Sequence, residues 1–220
     1  MGTMSKRPVP RAEKARANRR RMCETALRLF RQHGYAATSM QTIADEAGLA
    51  VQTLYFTFGT KRALLSEILD IAVAGDEEPV ATLDRPAVHA IIAEPDPAEQ
   101  LRTQAQLARE IWGRLAPVLE VVSGAATADP DIADLWQTNI DQRTTVQKRL
   151  CDALASKAKL RYDIQTAVDI AVALQGPELY QLFVGRRGWS PEKYGQWLAD
   201  ALIGQLLMDA DPVVRNRDSP

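Results

Sequence analysis

Cysteine is nearly absent: Cys23 and Cys151 stand alone and far apart in a chain of 220 residues. Two thiols so placed exclude the disulfide framework of a small secreted domain and point to a reducing cytoplasm. Histidine is as scarce. His33 and His89 fall into no metal-ligand spacing such as H-E-x-x-H, and neither a G-x-S-x-G elbow nor a Walker loop is present. An enzyme, a metal and a cofactor are therefore not expected. Long apolar runs are missing too, so no membrane span is expected, and the basic N-terminus lacks the apolar core of a signal peptide. No strand-like alternation of useful length and no internal repeat occurs, which leaves an all-α chain as the expectation. What remains is ordinary: 46% hydrophobic and 25% charged residues describe a globular protein.

The net charge of −1 hides an asymmetry. Residues 1–62 hold 12 Lys/Arg against 4 Asp/Glu, while residues 63–220 hold 15 against 24. A basic head on an acidic body suits a protein that presents one end to a polyanion.

Within that head, the stretch ATSMQTIADEAGLAVQTLYFTFGTK from Ala37 to Lys61 organises the rest. Thr38 or Ser39 can cap a short helix, and Thr38-x-x-Gln41 has the spacing of a capping box. Ile43, Ala44 and Ala47 share one face, and Gly48 supplies the left-handed residue that ends such a helix. A second helix is expected over about 50–58, with Leu54 and Phe58 facing inward beside Leu49. Ala44 is small enough for the two helices to cross closely. This is a helix-turn-helix pattern, whose second helix enters a DNA major groove. Upstream, a helix is expected over about 16–32, with Met22, Ala26, Leu29 and Phe30 as its apolar stripe. Arg16, Arg19, Arg20 and Arg21 would crowd its start and oppose its dipole, a cost that a nearby phosphate would offset.

Here the sequence resembles the TetR family of transcriptional regulators. The matching residues are Gly34-Tyr35, Thr38-Ser39, Ile43-Ala44, Ala47-Gly48, Thr53-Leu54-Tyr55, Phe58 and Lys61, preceded by Ala26-x-x-Leu29-Phe30. They cover about residues 16–65 in the family's order and spacing; the rest of the chain carries no such signature. The resemblance implies a three-helix N-terminal DNA-binding domain over 16–62. A flexible basic arm precedes it over 1–15. A larger helical ligand-binding and dimerisation domain follows over 63–212, with a tail at 213–220.

The body reads as helices throughout. One follows Gly59-Thr60 and carries Leu64, Leu65, Ile68, Leu69 and Ala72. A Pro-broken stretch with a short helix near 87–93 comes next. Pro97 opens a long helix, Pro117 separates it from a helix running to about 128, and Asp129-Pro130-Asp131 opens another. Residues 164–174 are apolar on nearly every face. Gly176-Pro177 interrupts them, helix resumes over 178–186, and Ser190-Pro191 caps the last helix.

From the resemblance, Val51, Gln52, Thr53, Tyr55, Phe56 and Thr57 face the groove or its walls. Gln52 is the best base reader, because its amide pairs with adenine N6 and N7. Tyr55 and Lys61 would meet phosphates, as would Thr38, Ser39 and the arginines Arg16 and Arg20. Val51 shares a face with Leu54 and Phe58, so it is either core or a partner for a thymine methyl. Family members often carry a basic or polar residue at that position, and a histidine where Thr57 stands.

The resemblance also implies a homodimer through residues 163–186 and 190–208. It further implies a small apolar or amphipathic effector bound in the body, with Trp112, Leu115, Leu119, Trp136, Tyr180 and Phe183 as candidate walls. Asn139 and Arg143 are polar groups on an apolar helix face and need a partner if buried: a ligand, an acid such as Glu110, or water. The expected function is a repressor released from a palindromic operator by that effector. The alternative is a DNA-binding regulator without a ligand, constitutive or governed by a protein partner.

Overall fold

The computed structural model describes residues 11–78 and 80–208, and among these the protein is helical. Ten helices follow one another: α1 (Arg11–His33), α2 (Met40–Ala47), α3 (Val51–Phe58), α4 (Lys61–Ala74), α5 (Pro86–Ala93), α6 (Pro97–Ala126), α7 (Pro130–Ala155), α8 (Ile164–Leu174), α9 (Pro177–Tyr180) and α10 (Pro191–Leu206). The nearest approach to a strand is one bridge between Leu160 and Leu207. No helix among the described residues is long and apolar enough to cross a membrane.

Two compact units share these helices. One comprises residues up to Ala72 together with Pro117–Trp136; the other comprises Val73–Ala116 and the chain from Gln137 onward. The division therefore does not fall at residue 62. All of α4 as far as Ala72 goes with the head, and so does the hairpin formed by the end of α6 and the start of α7.

In the first unit, Met22, Ala26, Leu29 and Phe30 of α1, Ile43, Ala44 and Ala47 of α2, Leu54 of α3, and Leu64, Leu65 and Leu69 of α4 are buried. Gly48 lies at φ 65° and stops α2 by donating to the Ala44 and Asp45 carbonyls. The capping box does not form. Ser39 is the N-cap, its hydroxyl accepting from the Thr42 N–H at 3.0 Å. Thr38 instead donates to the Gly34 carbonyl at 2.9 Å, and Gln41 donates to Asp45. Helix α1 is already formed at Arg11, five residues before the expected start, so the helical head is not confined to residues from 16 onward. The reason is local: Arg-Ala-Glu-Lys-Ala-Arg-Ala are strong helix formers, and Glu13 complements the dipole in the first turn. Arg16 to Arg21 consequently sit beyond the first turn, where the dipole no longer opposes them. The remainder of the expected arm, residues 1–10, and the expected tail lie outside the described residues.

In the second unit, Asp96 caps α6 by accepting from the Ala98 and Glu99 N–H groups at 2.8 and 2.9 Å. Pro117 does not end this helix. It lies inside 30 continuous residues, and the missing hydrogen bond falls where the two units divide. Gln100 is fully buried between helices, donating to Leu150 O at 3.0 Å and accepting from Lys157 Nζ at 2.7 Å. After α9 the coil widens to π-type hydrogen bonding over Gln181–Arg186, closed by the Arg187 N–H on the Leu182 carbonyl.

Candidate nucleic-acid interface and effector cavity

Helix α3 has two characters. Leu54 and Phe58 are buried, whereas Gln52 is exposed and Tyr55 and Phe56 are 53% and 93% exposed. Val51, Thr53 and Thr57 lie between, half-buried. Thr57 donates to the Thr53 carbonyl at 2.7 Å. A phenylalanine so exposed cannot be explained by packing within the chain, and large solvent-facing apolar groups mark contact surfaces.

The residues flanking α3 separate into two sets. Arg16 and Arg20 are exposed, four apart on α1, and free of ion pairs among the described residues. Ser39 is exposed at the start of α2. Thr38 and Lys61 are instead committed inside the head. Thr38 is 2% exposed with its hydroxyl turned inward. Lys61 Nζ donates to the carbonyls of Tyr35 and Thr38 at 2.8 and 2.9 Å, reaches that of Ala36 at 3.5 Å, and stands 4.3 Å from the Tyr35 ring centroid. Its ammonium thus ties the turn between α1 and α2 to the start of α4. Burial lowers the Lys61 pKa, with Asp129 opposing. Arg19 is likewise structural, paired with Glu67 at 2.7 Å and lying over the Phe58 ring.

The second unit holds a cavity of about 110 Å³, walled by α4, α5, α6, α7 and α8. Its apolar wall includes Val73, Val88, Leu107, Ile111, Trp112, Val146, Leu150 and Val172. Its polar groups are Thr82, Gln104, Asn139, Gln142, Arg143, Gln147 and Gln175. Gln147 Oε1 accepts from Gln104 Nε2 at 2.7 Å and from Gln175 Nε2 at 3.0 Å. Trp112 Nε1 donates to the Gln175 carbonyl at 3.1 Å, and the Arg143 guanidinium carbon lies 5.4 Å from the Trp112 ring centroid. Asn139 is 6% exposed, and its Oδ1 has no hydrogen-bond partner among the described residues.

Of the eight expected ligand residues, Trp112, Asn139 and Arg143 line this cavity; Leu115, Leu119, Trp136, Tyr180 and Phe183 do not. Leu115 and Leu119 are core residues. Phe183 stacks on Trp189 at 4.4 Å and packs against Trp197 at 4.8 Å, while Tyr180 meets Tyr194 edge-on at 5.1 Å. These aromatics at helical spacing fasten the chain after α9 to α10. Glu110 lies 3.6 Å from Arg109. The glutamines were missed, although a signal existed. Asn139, Arg143 and Gln147 recur at intervals of four along one face of α7, a polar line where α7 otherwise shows Leu135, Val146 and Leu150.

Comparison with known proteins accords with the head's geometry. Residues 23–68 match the model of the bacterial regulatory proteins, tetR family. The chain is 25% identical over 213 residues to the HTH-type transcriptional regulator YdeS of Bacillus subtilis, covering 94% of this chain and 92% of that one. It is 24% identical over 151 residues to the HTH-type transcriptional repressor ComR of Escherichia coli, covering 67% and 68%. A transcriptional regulator from Saccharomonospora viridis, solved in complex with choline, superposes with a TM-score of 0.63 at 25% identity over 88% of this chain and all of its own. Residues 23–68 thus carry the N-terminal helix-turn-helix of the TetR family, and the chain is similar over most of its length to DNA-binding transcriptional regulators.

Proposed function

We propose that the protein is a homodimeric repressor that leaves a palindromic operator when a small molecule occupies the cavity. The observation that carries the DNA reading is the outward face of α3. Gln52 is the base reader, Val51 and Phe56 give apolar contact to thymine methyls, and Thr53, Tyr55 and Thr57 line the groove. Arg16, Arg20 and Ser39 hold phosphates. Thr38 and Lys61 act through the shape of the head, which they fix from inside. Two such heads about 34–36 Å apart would read half-sites one helical turn apart.

Dimerisation through residues 163–186 and 190–208 is supported by what a single chain leaves uncovered. Among the described residues seven large hydrophobic side chains are exposed; Tyr55 and Phe56 belong to α3, and Tyr162, Ile164, Leu182 and Met208 belong to or border these segments. The repressor sign follows the naming of ComR, and the effector follows the choline complex of the S. viridis regulator together with the cavity itself. A route between sites is built into α6 and α7. Both wall the cavity, and both continue to a hairpin where Glu120 pairs with Arg31 of α1 at 3.2 Å and the Asp131 carbonyl accepts from Arg62 of α4 at 3.0 Å. An effector shifts the head only by preferring one arrangement of these helices over the other.

Gel shifts with DNA selected from random sequence test the DNA reading. Gln52→Ala should lower affinity for the selected site by about tenfold, leaving binding to random DNA unchanged. Arg16→Ala and Arg20→Ala should each reduce the salt slope by about 0.9, for any sequence. Equal loss on selected and random DNA for Gln52→Ala would sink the base-reading role.

A further inference from the structure

We propose that the effector cavity takes a small neutral amphiphile, with a hydroxyl or amide N–H at one end that donates to Asn139 Oδ1 and an apolar chain at the other. This rests on the reading of the cavity as the effector site and adds the chemistry of the ligand.

Hydrogen bonding is the first argument. Most of the buried polar groups in the lining already have partners. Gln147 Oε1 accepts from Gln104 and Gln175, and Gln175 Nε2 also reaches the Ala171 carbonyl at 3.3 Å. The Gln175 carbonyl takes the indole N–H of Trp112. Asn139 Oδ1 accepts nothing among the described residues, although the residue is only 6% exposed. A buried acceptor left without a donor is costly, and a donor carried by the ligand removes that cost.

Charge is the second. Among the described residues no carboxylate lines the cavity, so a cation would find no counter-charge there. Arg143, the one charged residue of that lining, is already engaged. Its guanidinium lies over the Trp112 ring, and the charge of Glu178 acts on it. An ion of either sign would give up its water here for groups that already have partners or carry no charge. A neutral molecule meets no such cost.

Placement is the third. The pairs Gln104–Gln147 and Trp112–Arg143 show α6 and α7 running antiparallel past the cavity. Asn139, one turn beyond Arg143, therefore stands at the Trp112 end. Toward the other end, Val88 and Leu150 pack with Leu107 and Val146 in one apolar cluster. A ligand lying along α7 thus has its donor at Asn139 and its chain against that cluster. The cavity volume of about 110 Å³ compares with the roughly 150 Å³ that takes benzene, which sets the ligand at roughly four to seven non-hydrogen atoms.

Calorimetric titration of the full chain tests this with four probes of similar length: 1-pentanol, its donor-free isomer 1-methoxybutane, pentanoate and pentylammonium. The alcohol should bind about tenfold more tightly than the ether and than either ion. Asn139→Leu should erase the advantage of alcohol over ether. Val146→Phe, which fills the apolar end, should weaken alcohol and ether alike and leave their ratio unchanged. Equal binding of alcohol and ether, tighter binding of either ion, an unchanged preference in Asn139→Leu, unaltered affinities in Val146→Phe, or no binding of any probe overturns the proposal. Should Asn139→Leu fail to fold, the four affinities of the native protein decide. Failure of the regulatory reading looks different. An alcohol that binds with this preference yet leaves affinity for operator DNA unchanged refutes release by effector while the ligand class stands. A charged molecule that binds the cavity and releases DNA does the reverse.

Discussion

Lys61 illustrates how much one side chain can do without touching a ligand. Its ammonium serves carbonyls of Tyr35, Ala36 and Thr38, which no helix ladder satisfies. Lys61→Met would remove this donor, leaving the Tyr35 carbonyl with only the Thr38 N–H at 3.3 Å, and cost roughly 1.5–3 kcal/mol, read as a lower urea midpoint, with weaker operator binding following from the loosened turn. Beneath it, the Tyr35 hydroxyl has its pKa pushed up from 10.0 to about 12, first by burial and then by Asp129 and Asp131. The neutral phenol is thus the form the fold prefers. Its contribution is complete below pH 10 and is lost as pH rises from there to about 12. Tyr35→Phe cannot ionise, so its melting temperature should fall less than that of the native protein between pH 8 and pH 11.5. An equal fall would show that the phenol does not govern alkaline stability. Residues of this kind were hard to read in the sequence. The Lys61 position was visible in the family pattern, but its three acceptors come from a turn over 20 residues away, and only the fold brings them together.

Elements were more legible than residues, because they rest on local signals. Gly48 reads as the end of α2 wherever it is met, and it lies at φ 65° with open space where a Cβ would stand. The cost of Gly48→Ala is therefore backbone strain alone, about 1–2 kcal/mol. Gly124, inside α6, also has open space and no positive φ. Gly124→Ala should stabilise by about 0.5–1 kcal/mol through the lower entropy of the unfolded chain. Both glycines belong to the same compact unit, so one set of denaturation curves should show opposite shifts; a like sign for the two would contradict the backbone argument. The signals that misled were those with two solutions. Thr38 and Ser39 both offer a hydroxyl at a helix start, and packing chose Ser39. Pro117 usually ends a helix, yet apolar residues on both sides, Trp112 and Leu115 before it and Val118 and Leu119 after it, keep α6 running through the buried core. Trp136, Tyr180 and Phe183 looked like pocket walls because aromatic spacing does not tell a cavity from a packed joint. The polar line Asn139, Arg143, Gln147 was the better guide, since buried polar groups are expensive unless something answers them.

At the scale of the whole molecule, the proposed dimer would cover apolar side chains in a particular place. Helix α8 buries Ala167, Val168 and Ala171 but leaves Ile164 39% exposed, and the π-wound turn before α10 leaves Leu182 42% exposed. Charge placed there should disturb the core of the chain less than at a buried position, because these side chains are partly open to solvent. Ile164→Glu combined with Leu182→Glu should therefore preserve helix content by circular dichroism while shifting the protein from dimer to monomer in sedimentation velocity. A monomer carries one head, and its second half-site is no longer held at high local concentration. Affinity for a palindromic operator should drop by about 100-fold or more, with affinity for a single half-site unchanged. A double variant that sediments as a dimer and binds the palindrome normally would place the twofold interface elsewhere, and the apolar residues bordering α8 and α10 would then need another occupant.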